Sequence, residues 1–385
     1  MSGDPLVGDG PVQPVLRIDQ VPVFCNALFP TASEAKAAPC GDIDLAYIPS
    51  TGYLYNRAFD PELTAYSPQY ENSLHFSPRF QEFAKTLTDR LVSRYDLRGK
   101  RIVEIGAGSG NFMAMLCEAG GNTGVGYDPS HDPARAPESD AISIVAEMYP
   151  TDREIDADLV ICQHVLEHVP DPAGLVEGVR ASMGGRDDIA VYFEVPDATY
   201  MVEQLAVWDL IYEHYSYFAA PTLQWTFERA GFEVVEIDRA FGDQYLWIEA
   251  KPGATGGDAT IDAAALAKLG ELVGRFEEHF STLRTTWTRK LDAMVGEGPT
   301  AIWGAGSKGV TFLNLIEAGA DVSHVVDINP HKHGLHVPGT GQPVVGPEAA
   351  VEAGVKNVVI MNPLYEAEIT QSLRDLGSDA TVTSM

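Results

Sequence analysis

From residue 76 to about residue 250 the chain alternates short apolar runs with stretches of helical spacing. KRIVEIGAGSG reads as a strand entering a glycine loop, and NTGVGYDPS as a second strand ending in an acid. ADLVICQHV is a third strand, DIAVYFEVPD a fourth, and FEVVEIDRAF with QYLWIEAKP an antiparallel pair that closes the set. Strand–helix alternation implies an α/β, doubly wound sheet. Residues 1–75 differ. They are rich in Pro, Tyr and turn residues, with short strand-like pieces such as LAYIPSTGYLYN, and read as a small N-terminal lobe. PGATGGDAT, at 252–260, reads as a linker. Beyond it Leu266, Leu269, Leu272, Val273, Phe276, Phe280, Leu283, Trp287, Leu291 and Met294 recur mostly three or four apart, which predicts a long helix with one apolar stripe. From Thr300 the alternation restarts in TAIWGAGSKG, SHVVDINP and NVVIMNP, a second and smaller α/β domain. The expected division is 1–75, 76–250, 251–298 and 299–385.

Composition narrows the function. A length of 385 residues suits two or three domains. The net charge of −29 argues against a nucleic-acid partner, which needs a basic face, and obliges an anionic substrate to find a local basic pocket. No run of 18 apolar residues is present, so no membrane span is expected. The opening MSGDPLVGDG lacks the basic and apolar regions of a signal peptide. Cys25, Cys40, Cys117 and Cys162 are scattered without a C-x-x-C pair, which gives neither a disulfide framework nor a zinc site. No metal is expected, and the reducing cytoplasm is the expected location.

Glu104, Gly106, Gly108 and Gly110 follow the first strand as E-x-G-x-G-x-G, with Asn111 where a dinucleotide fingerprint places its third glycine. Glycines there let backbone approach a ligand. Asp128 ends the next strand, 18 residues past Gly110, where an acid suits ribose hydroxyls. Loop, acid and strand order together resemble the class I S-adenosylmethionine-dependent methyltransferases, with their Rossmann-like fold, over about 76–250. The resemblance implies that Gly106, Ala107, Gly108, Gly110, Asn111 and Phe112 line the cofactor. It implies that Glu104 sits near the cofactor's charged amino end, that Asp128 with Pro129 holds the ribose, and that Glu147 of the pair Ala146-Glu147 lies near the adenine.

His164, Glu167 and His168 spell H-x-x-E-H, a zinc signature in which both histidines share one helix face. Pro170 and Pro172 follow at once and would shorten that helix, and a catalytic zinc needs a third protein ligand that the sequence does not name. ICQHVLEHVPDP also resembles the methyltransferase loop between cofactor and substrate. That implies Gln163 and His164 on the cofactor side and His168 facing substrate. A satisfied, partly buried histidine is the plainer reading of His168.

IYEHYSYF, 211–218, gathers Tyr212, Glu213, His214, Tyr215 and Tyr217. Methyl transfer to carbon needs a base beside a carbonyl and hydrogen-bond donors for the enolate oxygen, and a His next to a Glu with Tyr hydroxyls nearby can supply both. An aromatic-rich helix end packing a core would use the same letters. WDLIYEHYSYF is similar to the Y-H-E-H-x-S-Y-F stretch of the sugar C-methyltransferases, which act on nucleotide-linked 4-keto-deoxysugars. The resemblance places Glu213 and His214 at the catalytic site, with Tyr212, Tyr217 and His168 nearby. Ile211 and Tyr212 replace that motif's Tyr and first His. AYSPQYENSLHFSPRF, 65–80, is similar to the segment that caps the cofactor, with Tyr70 as a catalytic or substrate-contacting hydroxyl. That family opens with a zinc lobe built on paired C-x-x-C motifs. Here the second knuckle position reads Pro49, Ser50, Thr51 and Gly52, so the lobe is expected to fold without metal.

GAGSKG, 304–309, also fits G-x-G-x-x-G, and Asp327 lies 18 residues past Gly309. GAGSKG…VVDINPHKHGLHVPGTGQPV is similar to the C-terminal domain of the sugar C-methyltransferases. A helix N-terminus binds phosphate, and Lys308 and Lys332, with His331 and His333, would add positive charge for a nucleoside diphosphate. A loop that contacts no ligand is the plainer alternative, and bound NAD a lesser one. The expected enzyme is a methyltransferase using S-adenosylmethionine on a small molecule, a nucleotide-linked keto-deoxysugar methylated at carbon. The alternatives are an O- or N-methyltransferase on another metabolite and a non-catalytic cofactor-binding regulator. The oligomeric state stays open.

Overall fold

The computed structural model describes residues 6, 8, 10–64, 76–253 and 259–385. In the N-terminal part, β1 (Gln13–Pro22), β2 (Cys40–Ile48) and β3 (Tyr53–Asn56) form an antiparallel meander. The turn between β2 and β3 is the stretch that lacks knuckle thiols. It is held by hydrogen bonding instead: Thr222 Oγ1 donates to the Thr51 carbonyl at 2.8 Å, and Thr51 Oγ1 to the Leu6 carbonyl at 2.8 Å. Gly52 completes it at φ +70°, the left-handed region that glycine enters without strain.

The central sheet contains β4 (Arg101–Ile105), β5 (Thr123–Tyr127), β6 (Ile142–Val145), β7 (Leu159–Gln163) and β8 (Ala190–Pro196). A short strand, β9 (Ser216–Tyr217), leaves this domain and pairs with β3 of the N-terminal sheet. β10 (Phe232–Ala240) and β11 (Tyr245–Pro252) then complete the central sheet in the order β10-β11-β8-β7-β4-β5-β6, with β11 running against both neighbours. β7 and β8 are almost wholly buried, as parallel strands covered by helices on both faces must be. The strand order reverses between β4 and β7, and ligands of open α/β sheets bind at the carboxyl ends of strands around such a point.

The helix Pro78–Arg94 begins with Ser77, whose Oγ accepts from Phe80 N at 3.3 Å, and with proline at its first position. Such a cap stabilises by about 1 kcal/mol. Its buried face, Ala84, Leu87 and Leu91, joins Ile102, Phe112, Leu159 and Trp247 in one core. The apolar stripe after the linker forms the helix Ala263–Glu297, started by Asp262 Oδ1 accepting from Ala264 N at 2.8 Å. Leu269, Val273, Phe276 and Phe280 pack into the core of the N-terminal sheet, and Trp287 and Leu291 into that of the C-terminal sheet. One helix thus ties two cores together, each buried side chain contributing roughly 1.5–3 kcal/mol. The C-terminal sheet, β12 (Thr300–Trp303), β13 (His324–Val326), β14 (Val344–Val345), β15 (Asn357–Ile360) and β16 (Thr381–Ser384), is parallel throughout in the order β14-β13-β12-β15-β16. No described helix is long and apolar enough to cross a membrane.

Candidate active site

β4 delivers the first glycine loop to the switch point. Gly106, Gly108 and Gly110 take φ +70°, +55° and +83°, a run that L side chains resist. A Cβ on Gly106 would lie 2.1 Å from Val165 Cγ2, so the loop rests directly on the turn after β7. A Cβ on Gly108 would meet nothing within 4 Å, so the loop faces open space there. Gly110 caps the helix Asn111–Gly120, whose first N–H groups are aimed out of the helix. Asp128 holds the loop from β5: Oδ2 accepts from Gly108 N at 2.8 Å, and Oδ1 from Ser130 N at 2.8 Å and Ser130 Oγ at 2.6 Å. Glu104 is buried, and its Oε2 has no hydrogen-bond partner among the described residues. Burial and the Asp128 charge push its pKa up to about 8. Ala107 and Phe112 are buried around this loop, while Pro129 and Glu147 are exposed after β5 and β6. Gly106 to Phe112, Asp128, Pro129 and Glu147 therefore follow three neighbouring strand ends.

β7 ends in Gln163, and His164 follows it directly. Gln163 Nε2 donates to Glu194 Oε1 at 3.1 Å, and His164 Nε2 lies 3.2 Å from the same oxygen. His164 adopts φ +53°, an uncommon conformation for a non-glycine residue. Its Nδ1 is 3.5 Å from Glu167 Oε1, an ion-pair distance rather than a hydrogen-bonding one. Burial opposes a charge on this ring, but the flanking carboxylates outweigh it and raise the pKa to about 10. His164 is thus a cation between two acids.

Two further imidazoles meet beside it. The rings of His168 and His214 lie 4.9 Å apart at 78°. His168 Nδ1 is 2.9 Å from the Glu213 carbonyl, and His214 Nδ1 is 3.1 Å from the Asp209 carbonyl. A carbonyl can only accept, so each Nδ1 carries a proton and each Nε2 is the nitrogen left for other partners. Burial and the neighbouring His168 hold the His214 pKa down to about 3, so its lone pair is free at neutral pH. Glu167 is buried, and neither of its oxygens accepts a hydrogen bond from a described residue.

Several expected site residues are placed otherwise. Glu213 Oε2 accepts from Cys25 N at 2.9 Å, and its backbone carbonyl meets His168 Nδ1 at 2.9 Å. The acid that faces the imidazoles is Glu167, which the zinc-like spelling H-x-x-E-H had signalled. Tyr212 packs into the N-terminal core, its ring stacked 5.6 Å from Phe59 and its hydroxyl accepting from Asp60 N at 2.8 Å. Gly41 makes room for that ring, since a Cβ there would lie 2.2 Å from Tyr212 Cε2. Tyr217 is buried behind His214, its hydroxyl donating to the Ile211 carbonyl at 3.3 Å, so it lacks the exposure expected of a substrate contact. Tyr70 lies outside the described residues. The positive pocket of the second glycine loop does not form. Lys332 is buried, 3.3 Å from Asp327 Oδ2 and 3.1 Å from the Ala305 carbonyl, because the loop's own acid and carbonyl consume its charge. Lys308 reaches away to Gln244 Oε1 at 2.9 Å and Asp209 Oδ2 at 3.6 Å. The H-x-x-E-H helix is a single short turn, Leu166–His168, and His164 points to Glu194 rather than joining His168.

Comparison with known proteins agrees with this layout. The methyltransferase domain family matches residues 77–237, and the C-methyltransferase C-terminal domain family matches residues 262–381. The chain is 24% identical to the ubiquinone biosynthesis O-methyltransferase of Bordetella avium strain 197N over 229 residues, 54% of this chain and 90% of the relative. It is 33% identical to the enzyme of the same name from Ralstonia nicotianae over 97 residues, 23% of this chain and 40% of the relative. The match to that second relative spans less than half of its length. The N,N-8-amino-8-demethyl-D-riboflavin dimethyltransferase of Streptomyces davawensis is a structural neighbour with 22% identity and a TM-score of 0.37, covering 45% of this chain and 56% of that one. The glycine loop suits S-adenosylmethionine: a buried acid with one unpartnered oxygen, Glu104 Oε2, lies beside a loop with open space at Gly108, and the cofactor is a cation at both its sulfonium and its amino group. Residues 77–237 are therefore a class I S-adenosylmethionine-dependent methyltransferase domain, joined over 262–381 to a C-methyltransferase C-terminal domain.

Proposed function

We propose that the chain methylates a carbon atom next to the carbonyl of a nucleotide-linked keto-deoxysugar. In this reading residues 1–75 form a cap, 76–250 the methyl-transferring domain, 251–298 a connecting helix and 299–385 a substrate-binding domain. The observation that carries it is the pair of facing imidazoles whose Nδ1 protons are spent on the Glu213 and Asp209 carbonyls. S-adenosylmethionine, when bound on Glu104, the 106–110 loop and Asp128, supplies an electrophilic methyl group on its sulfonium. An electrophile of that strength needs no acid, so the protein must make the nucleophile. His214 Nε2 accepts the proton from the carbon, and the enolate so formed attacks the methyl group. The Glu167 carboxylate, fixed by the His164 cation, stabilises the imidazolium once the proton has arrived. His168, half-buried beside it, passes the proton outward. The match to the C-methyltransferase C-terminal domain supports carbon as the acceptor.

The relatives named O-methyltransferases favour a second reading, an oxygen or nitrogen acceptor on another metabolite, which would need deprotonation but no exchangeable carbon. Incubating the protein with a nucleotide-linked 4-keto-6-deoxyhexose in heavy water separates the two by mass. The carbon reading expects one deuterium gained without cofactor and one methyl gained with it. Methyl gain without exchange supports the second reading, and neither signal in the presence of bound cofactor refutes the sugar.

A further inference from the structure

We infer that Glu167, His168 and His214 form a binding site for a divalent transition cation of the zinc class, and that its occupancy switches off the base. One ring nitrogen from each histidine and one Glu167 oxygen lie within 4.8 Å of one another. A cation bound at about 2.1 Å to such ligands wants them about 3.4 Å apart, so small side-chain rotations close the set. Three features set the cluster apart from a chance meeting of polar groups. The Glu167 carboxylate is buried with no hydrogen bond from a described residue and with only the 3.5 Å ion pair to His164 to offset its charge, so a cation on its other oxygen would add to that compensation. Both imidazoles place Nδ1–H on a carbonyl and leave Nε2 as the nitrogen that can ligate, the outer-shell arrangement usual for metal-bound histidine. Glu167 has an outer partner too, His164, itself held by Glu194.

Two nitrogens and one oxygen favour zinc, cobalt or ferrous iron over magnesium or calcium, which prefer oxygen. Three protein ligands leave at least one position open to water. Binding takes the His214 lone pair that the proposed proton transfer requires. The inhibitory half of the inference therefore rests on the proposed function, and the binding half does not.

Titrating the purified full-length chain with Co²⁺ tests the binding half without any turnover. One equivalent should develop the strong visible absorption of a four-coordinate nitrogen–oxygen site, and Zn²⁺ should abolish it. His168→Ala should remove the absorption, and His164→Gln should weaken Co²⁺ binding by about 10- to 100-fold through the outer shell. Glu167→Gln provides a second ligand variant should His168→Ala fail to fold. S-adenosylmethionine affinity, measured by calorimetry, reports that each variant is folded. Absence of the absorption in the wild-type chain, or equal absorption in folded ligand variants, overturns the site. Saturating Zn²⁺ should then suppress deuterium exchange into the keto-sugar by about 100-fold or more, the scale of losing a general base. A wild-type chain that binds Co²⁺ but never exchanges deuterium refutes the proposed function and leaves the metal site standing. Binding with undiminished exchange overturns the inhibitory half.

Discussion

The two glycine loops share a plan of hydrogen bonds, with the loop amide one position earlier in the second. In the first, Asp128 Oδ2 accepts from Gly108 N and Oδ1 from Ser130 N, each at 2.8 Å. In the second, Asp327 Oδ2 accepts from Ala305 N and Oδ1 from Asn329 N, each also at 2.8 Å. Each loop leaves a parallel strand and enters a helix. What differs is the charge beneath and beside them. The residue two before the first glycine is Glu104 in one loop and the apolar, buried Ile302 in the other. Beside the second acid sits Lys332, buried and paired, whereas beside the first is the half-buried His131, with Nδ1 2.9 Å from the Gly108 carbonyl. The first loop keeps a buried acid with one oxygen unpartnered, and the second has answered its own acid with its own lysine. Shared letters describe the turn of the backbone, and the buried charge decides whether a ligand is needed to complete it.

That contrast can be broken at either loop. The largest effect is expected from Asp327→Asn, which strands the Lys332 ammonium. Urea unfolding should show a loss of about 3–5 kcal/mol, the usual cost of leaving a buried charge unpaired. Cofactor affinity should be unchanged by it, and a matching loss of affinity would mean that the loops are not independent. Asp128→Asn should act in the opposite sense. Charge-assisted hydrogen bonds to backbone amides are worth about 1.5–3 kcal/mol, so S-adenosylmethionine should bind roughly 10- to 100-fold more weakly by calorimetry. Gly106→Ala forces a side chain into a left-handed conformation at φ +70° and against Val165. Strain of about 1–2 kcal/mol should weaken the cofactor about tenfold, while Gly304→Ala should spare it.

The smallest effect is a matter of pH. A Glu104 carboxyl held near 8, above its ordinary 4.5, is largely protonated at pH 7 in the free protein. Binding a cation favours the carboxylate, so affinity should rise about fivefold from pH 7 to pH 8, with proton release. Glu104→Gln should flatten that slope. The sign for stability is opposite. A carboxyl raised by burial contributes most below its unfolded value, so the cofactor-free protein should lose stability as pH rises from about 4.5 through about 8.

The parallel sheet, the two loops and the long helix were legible because their signals are periodic and local. The stripe from Leu266 to Met294 could hardly be anything but one helix. β6 was missing from the strands read along the chain because it is an edge: its residues are exposed or half-buried, so no clean apolar run marks it. IYEHYSYF was legible as chemistry but not as geometry. Between Val207 and Tyr217 the chain forms a short turn and then β9, so alternate residues face different domains. His214 turns to the site, Glu213 to Cys25 and Tyr212 to Phe59, and those directions are set by tertiary neighbours that no local pattern encodes. Glu167 was visible only inside a spelling that suggested another enzyme. The electropositive pocket expected of Lys308 and Lys332 failed because charge counted along the chain says nothing of who already holds it.

The segment 209–217 also restrains how such an enzyme could be taken apart. The Asp209 carbonyl orients His214, while the Asp209 carboxylate faces Lys308 of the C-terminal domain. The Glu213 side chain is anchored to Cys25 of the N-terminal lobe, and Ser216–Tyr217 lends that lobe its last strand. Nine consecutive residues therefore answer to all three parts of the molecule at once. A chimera that exchanges either end piece with a relative would have to carry compatible partners for this segment, or inherit a misaligned histidine. Evolution of new acceptor specificity in such a chain is then expected to proceed by concerted change across the lobes rather than by exchange of cassettes.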